Sequence, residues 1–245
     1  MRLDRALANS GYGSRSEIRK LIRLGQVTVA GEVIRDPAFP LGGPAAETVR
    51  ISGQERLLHD HLTVMLNKPA GCVTAMEDSR LPTVADLLPP AWVRTGLVPV
   101  GRLDRDTTGL LLLTNDGTLN HRLASPRWGV WKIYRFRYDG PEWTPGDVAA
   151  FAAGLTLPDG RRLKPARLVP RSGGVADLML HEGKFHQVKR MVRTCGREVT
   201  RLHRHTFGPL TLDENLAAGA SRLLTADETK ALRAAVQMDE PAGGS

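Results

Sequence analysis

The most informative stretch of this 245-residue sequence reads Gly101-Arg102-Leu103-Asp104-Arg105-Asp106-Thr107-Thr108-Gly109-Leu110 and continues through three more leucines to Thr114-Asn115-Asp116-Gly117. The apolar run from Leu110 to Leu113 is typical of a buried strand. The polar loop before it carries two carboxylates, Asp104 and Asp106. Because functional side chains are commonly carried on loops that a rigid strand positions, this stretch is the first candidate for a functional site.

Paired carboxylates at this spacing have three chemical interpretations. A calcium loop would begin with Asp104, Asp106 and Thr108, but its twelfth position is Asn115, which lacks the bidentate charge that calcium needs. A magnesium-dependent phosphate-transfer loop would use Asp104 as nucleophile directly after a buried strand, whereas Gly101-Arg102 interrupts the apolar run here. The third interpretation depends on the residues around the two carboxylates and on motifs elsewhere in the chain.

The composition describes a globular chain and excludes several classes of protein. Hydrophobic residues make up 41% of the sequence and charged residues 24%, which are ordinary values for folded domains. The longest apolar run is too short to span a bilayer, and the first residues lack the hydrophobic block of a secretion signal. Cys72 and Cys195 are too few for a disulfide framework or a zinc site. We therefore expect a cytoplasmic protein with no membrane partner.

The positive charge is concentrated in two short blocks. The whole chain has a net charge of +8, and residues 1–35 carry +4 while residues 183–205 carry +6. A surplus gathered in this way favours a polyanionic partner such as a nucleic acid over an evenly solubilised surface. The solubilising surface is the alternative interpretation of the same charge.

The first 35 residues have the pattern of a small helical module followed by a hairpin. Ser14 and Glu17 have the spacing of a capping box before an amphipathic helix, and Gly25 is placed to end that helix. Alternating valines around Ala30-Gly31 predict a hairpin. A helix of this kind can bury one face and present basic side chains to phosphates on another.

From Leu62 onward, short apolar runs alternate with Gly and Pro. Residues 133–138 alternate as a half-buried strand does, and Phe185, Val188, Val192 and Cys195 recur with helical spacing. Many strands with few helices between them predict a mainly antiparallel sheet in an α+β fold. We expect a domain over 1–52, a linker over 53–61, a second domain over 62–236 ending in a helix near Val236, and a disordered tail over 237–245.

The N-terminal module resembles the S4 RNA-binding domain. The residues that carry the resemblance are Arg2-Leu3-Asp4, Ser14-Arg15-Ser16, Gly25-Gln26-Val27-Thr28-Val29 and Gly31-Glu32. In that family the second helix and the turn after it contact structured RNA. The resemblance therefore implies RNA contacts by the basic residues Arg2, Arg15, Arg19, Lys20 and Arg23.

The second region resembles pseudouridine synthases of the RsuA type, because five motifs occur in that family's order. They are Leu66-Asn67-Lys68-Pro69-Ala70-Gly71, the stretch around Gly101-Arg102-Leu103-Asp104, Lys132-Ile133-Tyr134, Glu182-Gly183-Lys184-Phe185-His186-Gln187-Val188-Lys189-Arg190-Met191, and Leu202-His203-Arg204 with Phe207-Gly208-Pro209-Leu210. The resemblance implies a mainly antiparallel mixed-sheet catalytic domain. It also implies an enzyme that isomerises uridine in ribosomal RNA, with the small-subunit RNA as the expected target.

The resemblance further implies roles for individual residues. Asp104 matches the family's nucleophile, Lys189 the cation paired with it, and Tyr134 the aromatic residue that stacks on the target base. Arg102 matches the arginine that fills the space left by a flipped-out base. The remaining expected RNA contacts are Lys68, Lys132, His186, Gln187, Arg190, Arg193 and Arg204.

The same resemblance implies that the enzyme needs no cofactor or metal and acts as a monomer. Its partner would be ribosomal RNA or a partly assembled ribosomal subunit. A large-subunit enzyme of the same family shares these motifs and is the first alternative. A non-catalytic RNA-binding assembly factor is the second, since it would need the basic blocks but not the convergence of Asp104, Tyr134 and Lys189. A metal-dependent phosphotransfer enzyme is the third.

Overall fold

The computed structural model describes residues 1–42, 48–56, 58 and 61–238. These residues form two compact units, the first comprising residues 1–63, 88–98 and 113–117 and the second comprising 64–87, 99–112 and the described residues from 118 onward. Helices and sheets occur in both, which confirms the predicted α+β class. No helix among the described residues is long and apolar enough to cross a membrane.

The first unit is built on a short helical pair and a small sheet. Its elements are α1 (Leu3–Asn9), α2 (Arg15–Arg23), β1 (Val27–Val29), β2 (Glu32–Ile34), β3 (Val49–Ile51) and β4 (Gln54–Arg56). The strand order is β2-β1-β3-β4, and all three neighbouring pairs are antiparallel. The Ser14–Glu17 capping box and the hairpin at Ala30-Gly31 are both confirmed.

Helix α2 buries one face and exposes the others. Ile18 and Ile22 on α2 are buried against Leu3 and Leu7 of α1 in one apolar core. The other faces of α2 expose its basic side chains to solvent. Asp4 is buried beside α2, where burial opposes its ionisation but hydrogen bonds from two arginines hold the pKa of its carboxyl below the usual value.

The remaining elements are one large sheet and several helices, one of which, Pro90–Val93, falls within the first unit. The elements are β5 (Thr63–Lys68), α3 (Pro90–Val93), β6 (Val98–Pro99), β7 (Thr108–Thr114), α4 (Gly117–Ala124), β8 (Lys132–Asp139), α5 (Pro145–Ala153), β9 (Arg167–Arg171), β10 (Val175–Leu180), α6 (Gln187–Thr194), β11 (Glu198–Phe207), β12 (Leu210–Thr211), β13 (Ser221–Leu223) and α7 (Ala226–Ala234). Short 3₁₀ turns lie at Ala85–Leu87 and Pro126–Trp128.

The large sheet has nine strands. Its main path is β13-β5-β7-β11-β8-β10-β9, with β12 beside β11 and β6 beside β7. β11 runs parallel to β7, whereas the pairs β8–β10, β9–β10, β8–β11, β11–β12 and β5–β13 are antiparallel. The predicted mainly antiparallel sheet is therefore confirmed.

The two faces of β8 differ in chemistry. Tyr134, Phe136 and Tyr138 are buried, while Arg135 and Arg137 between them are exposed. This alternation follows from the two-residue period of a strand. It places Tyr134 on the inner face of the sheet, close to the loop that precedes β7.

Three predicted boundaries differ from the structure or fall partly outside it. Phe185 was expected on the apolar face of a helix, but α6 begins at Gln187 and Phe185 precedes it. The last helix ends at Ala234, with a turn continuing to Gln237, instead of near Val236. The predicted linker over 53–61 contains a strand, because β4 (Gln54–Arg56) pairs with β3. Its residues 57, 59 and 60 lie outside the described residues, as do 239–245 of the predicted tail.

Candidate active site

The loop between β6 and β7 opens onto a shallow, solvent-open cleft. Its walls come from separate parts of the second unit and include Arg102 and Asp104 from the loop, Tyr134 from β8 and His186 from the segment before α6. Residues that are far apart in the sequence therefore meet at one point on the inner face of the sheet.

One lysine on α6 contacts both carboxylates of the loop. The Nζ atom of Lys189 is 3.4 Å from Oδ2 of Asp104 and 2.6 Å from Oδ1 of Asp106. His186 Nε2 lies 3.6 Å from Oδ1 of Asp104 on its other side. Asp104 thus sits between an ammonium group and an imidazole, and part of its side chain remains open to the cleft.

Asp106 differs from Asp104 in its surroundings. Its side chain is largely exposed, and it is absent from the cleft wall. Partial burial opposes ionisation, but the hydrogen bond from Lys189 lowers the pKa of Asp106. Asp106 therefore orients the ammonium group that also faces Asp104.

Buried side chains hold the loop itself in place. Lys68, at 0% exposure, donates from Nζ to the backbone carbonyls of Pro69, Asp104, Arg105 and Thr107 at 3.0–3.3 Å. Burial lowers the pKa of this lysine. The four carbonyl dipoles take the place of water around the ammonium group and fix the backbone on either side of Asp104.

Thr74 supports the same loop at the preceding residue. Its hydroxyl donates to the carbonyl of Leu103 at 2.7 Å and lies 3.2 Å from the backbone N–H of that residue. Sequence reasoning missed Thr74, and an isolated threonine in a polar turn gives no signal that could have identified it.

Replacing Lys68 by methionine should destabilise the protein while keeping the volume of the side chain. The change leaves buried carbonyl oxygens without a donor, and we expect a loss of about 3 kcal/mol in the free energy of unfolding. Urea denaturation measures the loss. Lys164→Met is the matched control, because Lys164 is exposed and should change stability by less than about 0.5 kcal/mol. Equal stability of the two variants would contradict a structural role for the Lys68 ammonium.

A second buried cation lies behind Tyr134. Arg204, at 1% exposure, donates from Nε to the carbonyl of Leu110 at 2.8 Å and from Nη1 to the hydroxyl of Tyr134 at 3.4 Å. The backbone of Arg204 also passes so close to Gly109 that a Cβ there would lie 2.2 Å from the Arg204 carbonyl oxygen. Gly109, at φ +103°, therefore allows β7 and β11 to approach beside the cleft.

Four of the residues expected to contact RNA are buried in the structure. Lys68 and Arg204 are enclosed as described, and the Gln187 amide donates to Glu182 and accepts from the backbone of Lys184. Lys132 lies between Val130 and Phe207, where burial lowers the pKa of its ammonium to about 8. The polar groups of these side chains are already engaged within the protein, although Gln187 also lines the cleft.

The remaining expected RNA contacts are at the surface, but several of them have acidic partners. On α6, Arg190 pairs with Asp159 and Arg193 with Glu198. In the first unit, Arg2 and Arg19 pair with Asp4, whereas Arg15, Lys20 and Arg23 are exposed. Arg102 is exposed and lines the cleft.

The arrangement does not resemble a metal site. The described residues contain no group of three or more His, Cys, Asp or Glu side chains that could hold a metal ion. A lysine ammonium lies against both Asp104 and Asp106, where the calcium and magnesium interpretations would require a metal. An ionised carboxylate beside a cation, in a cleft with an aromatic wall, suits covalent or acid–base chemistry on a planar substrate.

Comparison with known proteins gives a consistent result. A family model described as RNA pseudouridylate synthase matches residues 62–194, and an S4 domain model matches residues 1–44. The chain is 42% identical over 232 residues to ribosomal small subunit pseudouridine synthase A of Pseudomonas aeruginosa, covering 93% of this chain and 98% of the relative. It is 39% identical over 232 residues to an uncharacterized RNA pseudouridine synthase of Bacillus subtilis, covering 93% and 96%.

A solved structure extends the likeness to the fold. A crystal structure of a pseudouridylate synthase, 33% identical in sequence, superposes with a TM-score of 0.66 and covers 95% of this chain and 99% of its own. The fold and the matches define an enzyme that acts on RNA. The chain belongs to the RNA pseudouridylate synthase family, is of the RsuA type, and carries an S4 RNA-binding domain.

Proposed function

We propose that this RNA pseudouridine synthase isomerises one uridine of small-subunit ribosomal RNA and that Asp104 is its nucleophile. The observation that carries the proposal is the contact of Asp104 with Lys189 at the wall of a cleft that Tyr134 also lines. Of the two loop carboxylates, Asp104 is the one that lines this cleft.

The net reaction breaks the N1–C1′ bond, forms a C5–C1′ bond and moves one proton. The carboxylate of Asp104 attacks the nucleoside covalently, and the N1–C1′ bond breaks. The uracil then turns and bonds to C1′ through C5, and the bond to Asp104 breaks and regenerates the carboxylate. C5 loses a proton and N1 gains one. Lys189 orients Asp104 and offsets its charge, and Tyr134 stacks on the base and takes part in removing the C5 proton.

Access to the base requires that it leave its stack in the RNA. Flipping a base out of a helix costs a few kcal/mol. Arg102 stands two residues before Asp104, is exposed and lines the cleft. Its planar guanidinium group can stack in the vacated position and donate hydrogen bonds there.

The division of work between the domains belongs to the same proposal. Residues 1–52 dock the RNA, with Arg15, Lys20 and Arg23 on the exposed side of α2 contacting phosphates. Residues 62–236 carry the chemistry. The choice of small-subunit RNA rests on the identity of about 40% to relatives whose names state that target.

Pseudouridine mapping tests this function directly. Ribosomal RNA from cells that lack the gene should lose one pseudouridine in the small-subunit RNA, and the wild-type gene should restore it. A lost site in the large-subunit RNA would show that the target is wrong. Unchanged modification of both RNAs would overturn the ribosomal function.

A further inference from the structure

Phe185, just before α6, is an aromatic residue with most of its surface open to solvent. The residue is 74% exposed, the highest value among the exposed large hydrophobic residues of the described part of the chain. Single exposed apolar side chains are common on protein surfaces. The conformation of the next residue and the position of its ring separate Phe185 from that background.

The ring of Phe185 lies flat against that of His186. Their centroids are 3.8 Å apart and the planes differ by 16°. His186 has φ +49° and ψ +33°, a left-handed conformation that is strained for a residue with a side chain. The strain accompanies a backbone turn that brings the His186 ring to the cleft wall beside Asp104.

The Phe185 ring therefore lies just outside the cleft, stacked on the His186 ring that lines it. His186 lines the cleft, whereas Phe185 does not and lies one ring spacing away. Successive stacked bases in a nucleic acid strand are about 3.4 Å apart, which is close to the spacing of these rings. The exposed face of Phe185 thus has the size, flatness and position to receive a base outside the cleft.

We propose that the exposed face of Phe185, supported by His186, is a stacking site for the unpaired base next to the uridine in the cleft. The inference rests on the proposed function, because it needs an RNA strand with one base bound near Asp104. Aromatic side chains bind unpaired RNA bases by stacking with little dependence on sequence. The site therefore contributes affinity and register, while the cleft selects the uridine.

Fluorescence of a modified RNA tests the stacking. The probes are two RNA stem-loops whose unpaired loop contains one uridine, with 2-aminopurine on its 5′ side in one and on its 3′ side in the other. Stacking quenches this fluorophore, so the wild-type protein should quench one of the two probes. Phe185→Leu keeps an apolar side chain but removes the flat face, and should abolish the quenching and weaken binding about tenfold.

Matched variants separate stacking from general effects. Phe185→Trp should quench and bind within about twofold of wild type. Trp131→Leu removes another exposed aromatic ring, one that contacts His181 instead of His186, and should leave both readings unchanged. The proposal would be overturned if the wild-type protein quenched neither probe or if Phe185→Leu quenched as well as the wild type. It would also be overturned if Trp131→Leu lost as much quenching and affinity as Phe185→Leu.

The same probes distinguish this proposal from the catalytic one. Asp104→Asn should quench like the wild type although it forms no pseudouridine. If the wild-type enzyme modifies no ribosomal RNA but quenches the probe through Phe185, the proposed function fails and the stacking site stands. If it modifies RNA without quenching, the stacking site fails alone.

Discussion

Replacing Asp104 by asparagine is expected to lower pseudouridine formation by about 10⁴-fold or more while RNA affinity stays within a few-fold of wild type. The amide has nearly the same shape as the carboxylate but is neither charged nor nucleophilic. Its contacts within the protein are limited to the neighbourhood of Lys189 and His186, so the fold should persist. Since C5 of the uracil loses its hydrogen in the reaction, release of tritium from RNA labelled at C5 measures turnover directly.

Asp106→Asn is the matched comparison for this change. It removes the same charge two residues away, from a side chain that touches Lys189 but does not line the cleft. We expect a loss of about tenfold or less, because Lys189 would still face Asp104. Turnover by Asp104→Asn within tenfold of wild type would exclude Asp104 as the nucleophile. Equal losses in the two variants would indicate that the loop acts through its total charge.

Local patterns in the sequence predicted those parts of the fold that depend on neighbouring residues. The capping box at Ser14 is present, and the run around Leu110–Leu113 is the buried strand β7. Each of these features depends on residues within a few positions of one another, so spacing alone is informative.

The sequence was less informative where a residue's role depends on what folds over it. Lys68, Lys132 and Arg204 were expected to contact RNA because they are basic and lie in family motifs. Each is enclosed by backbone carbonyls or aromatic rings that distant segments supply. Residue type predicts charge but not burial, and a buried cation is the exception to the general preference of charges for the surface.

Phe185 shows the opposite error. Its spacing with Val188 and Val192 predicted a buried position on one helix face, because an apolar residue at that interval usually packs inward. The left-handed His186 is the N-cap of α6, so the helix begins at Gln187 and the preceding Phe185 lies outside it and is exposed. Nothing in the spacing of apolar residues reveals a left-handed histidine.

Replacing Lys189 by methionine should lower kcat by about 10²–10³-fold with a smaller change in KM, a loss typical of removing one oriented charged donor from an active site. The change removes the Lys189 ammonium group, which is the cation that both Asp104 and Asp106 contact in the structure. Lys189→Arg keeps the charge and should retain more activity than Lys189→Met. Tritium release at saturating and limiting RNA separates kcat from KM.

The double variant Lys189→Met with Asp106→Asn decides how the lysine acts. If Lys189 serves to offset the charge of Asp106 as well as to orient Asp104, removal of Asp106 should restore part of the activity lost in Lys189→Met. The two changes would then be non-additive, as expected for residues in direct contact. Fully multiplicative losses would mean that Lys189 acts on Asp104 or the substrate alone. Equal activity of Lys189→Met and the wild type would show that the ion pair between Lys189 and Asp104 is not part of the catalytic machinery.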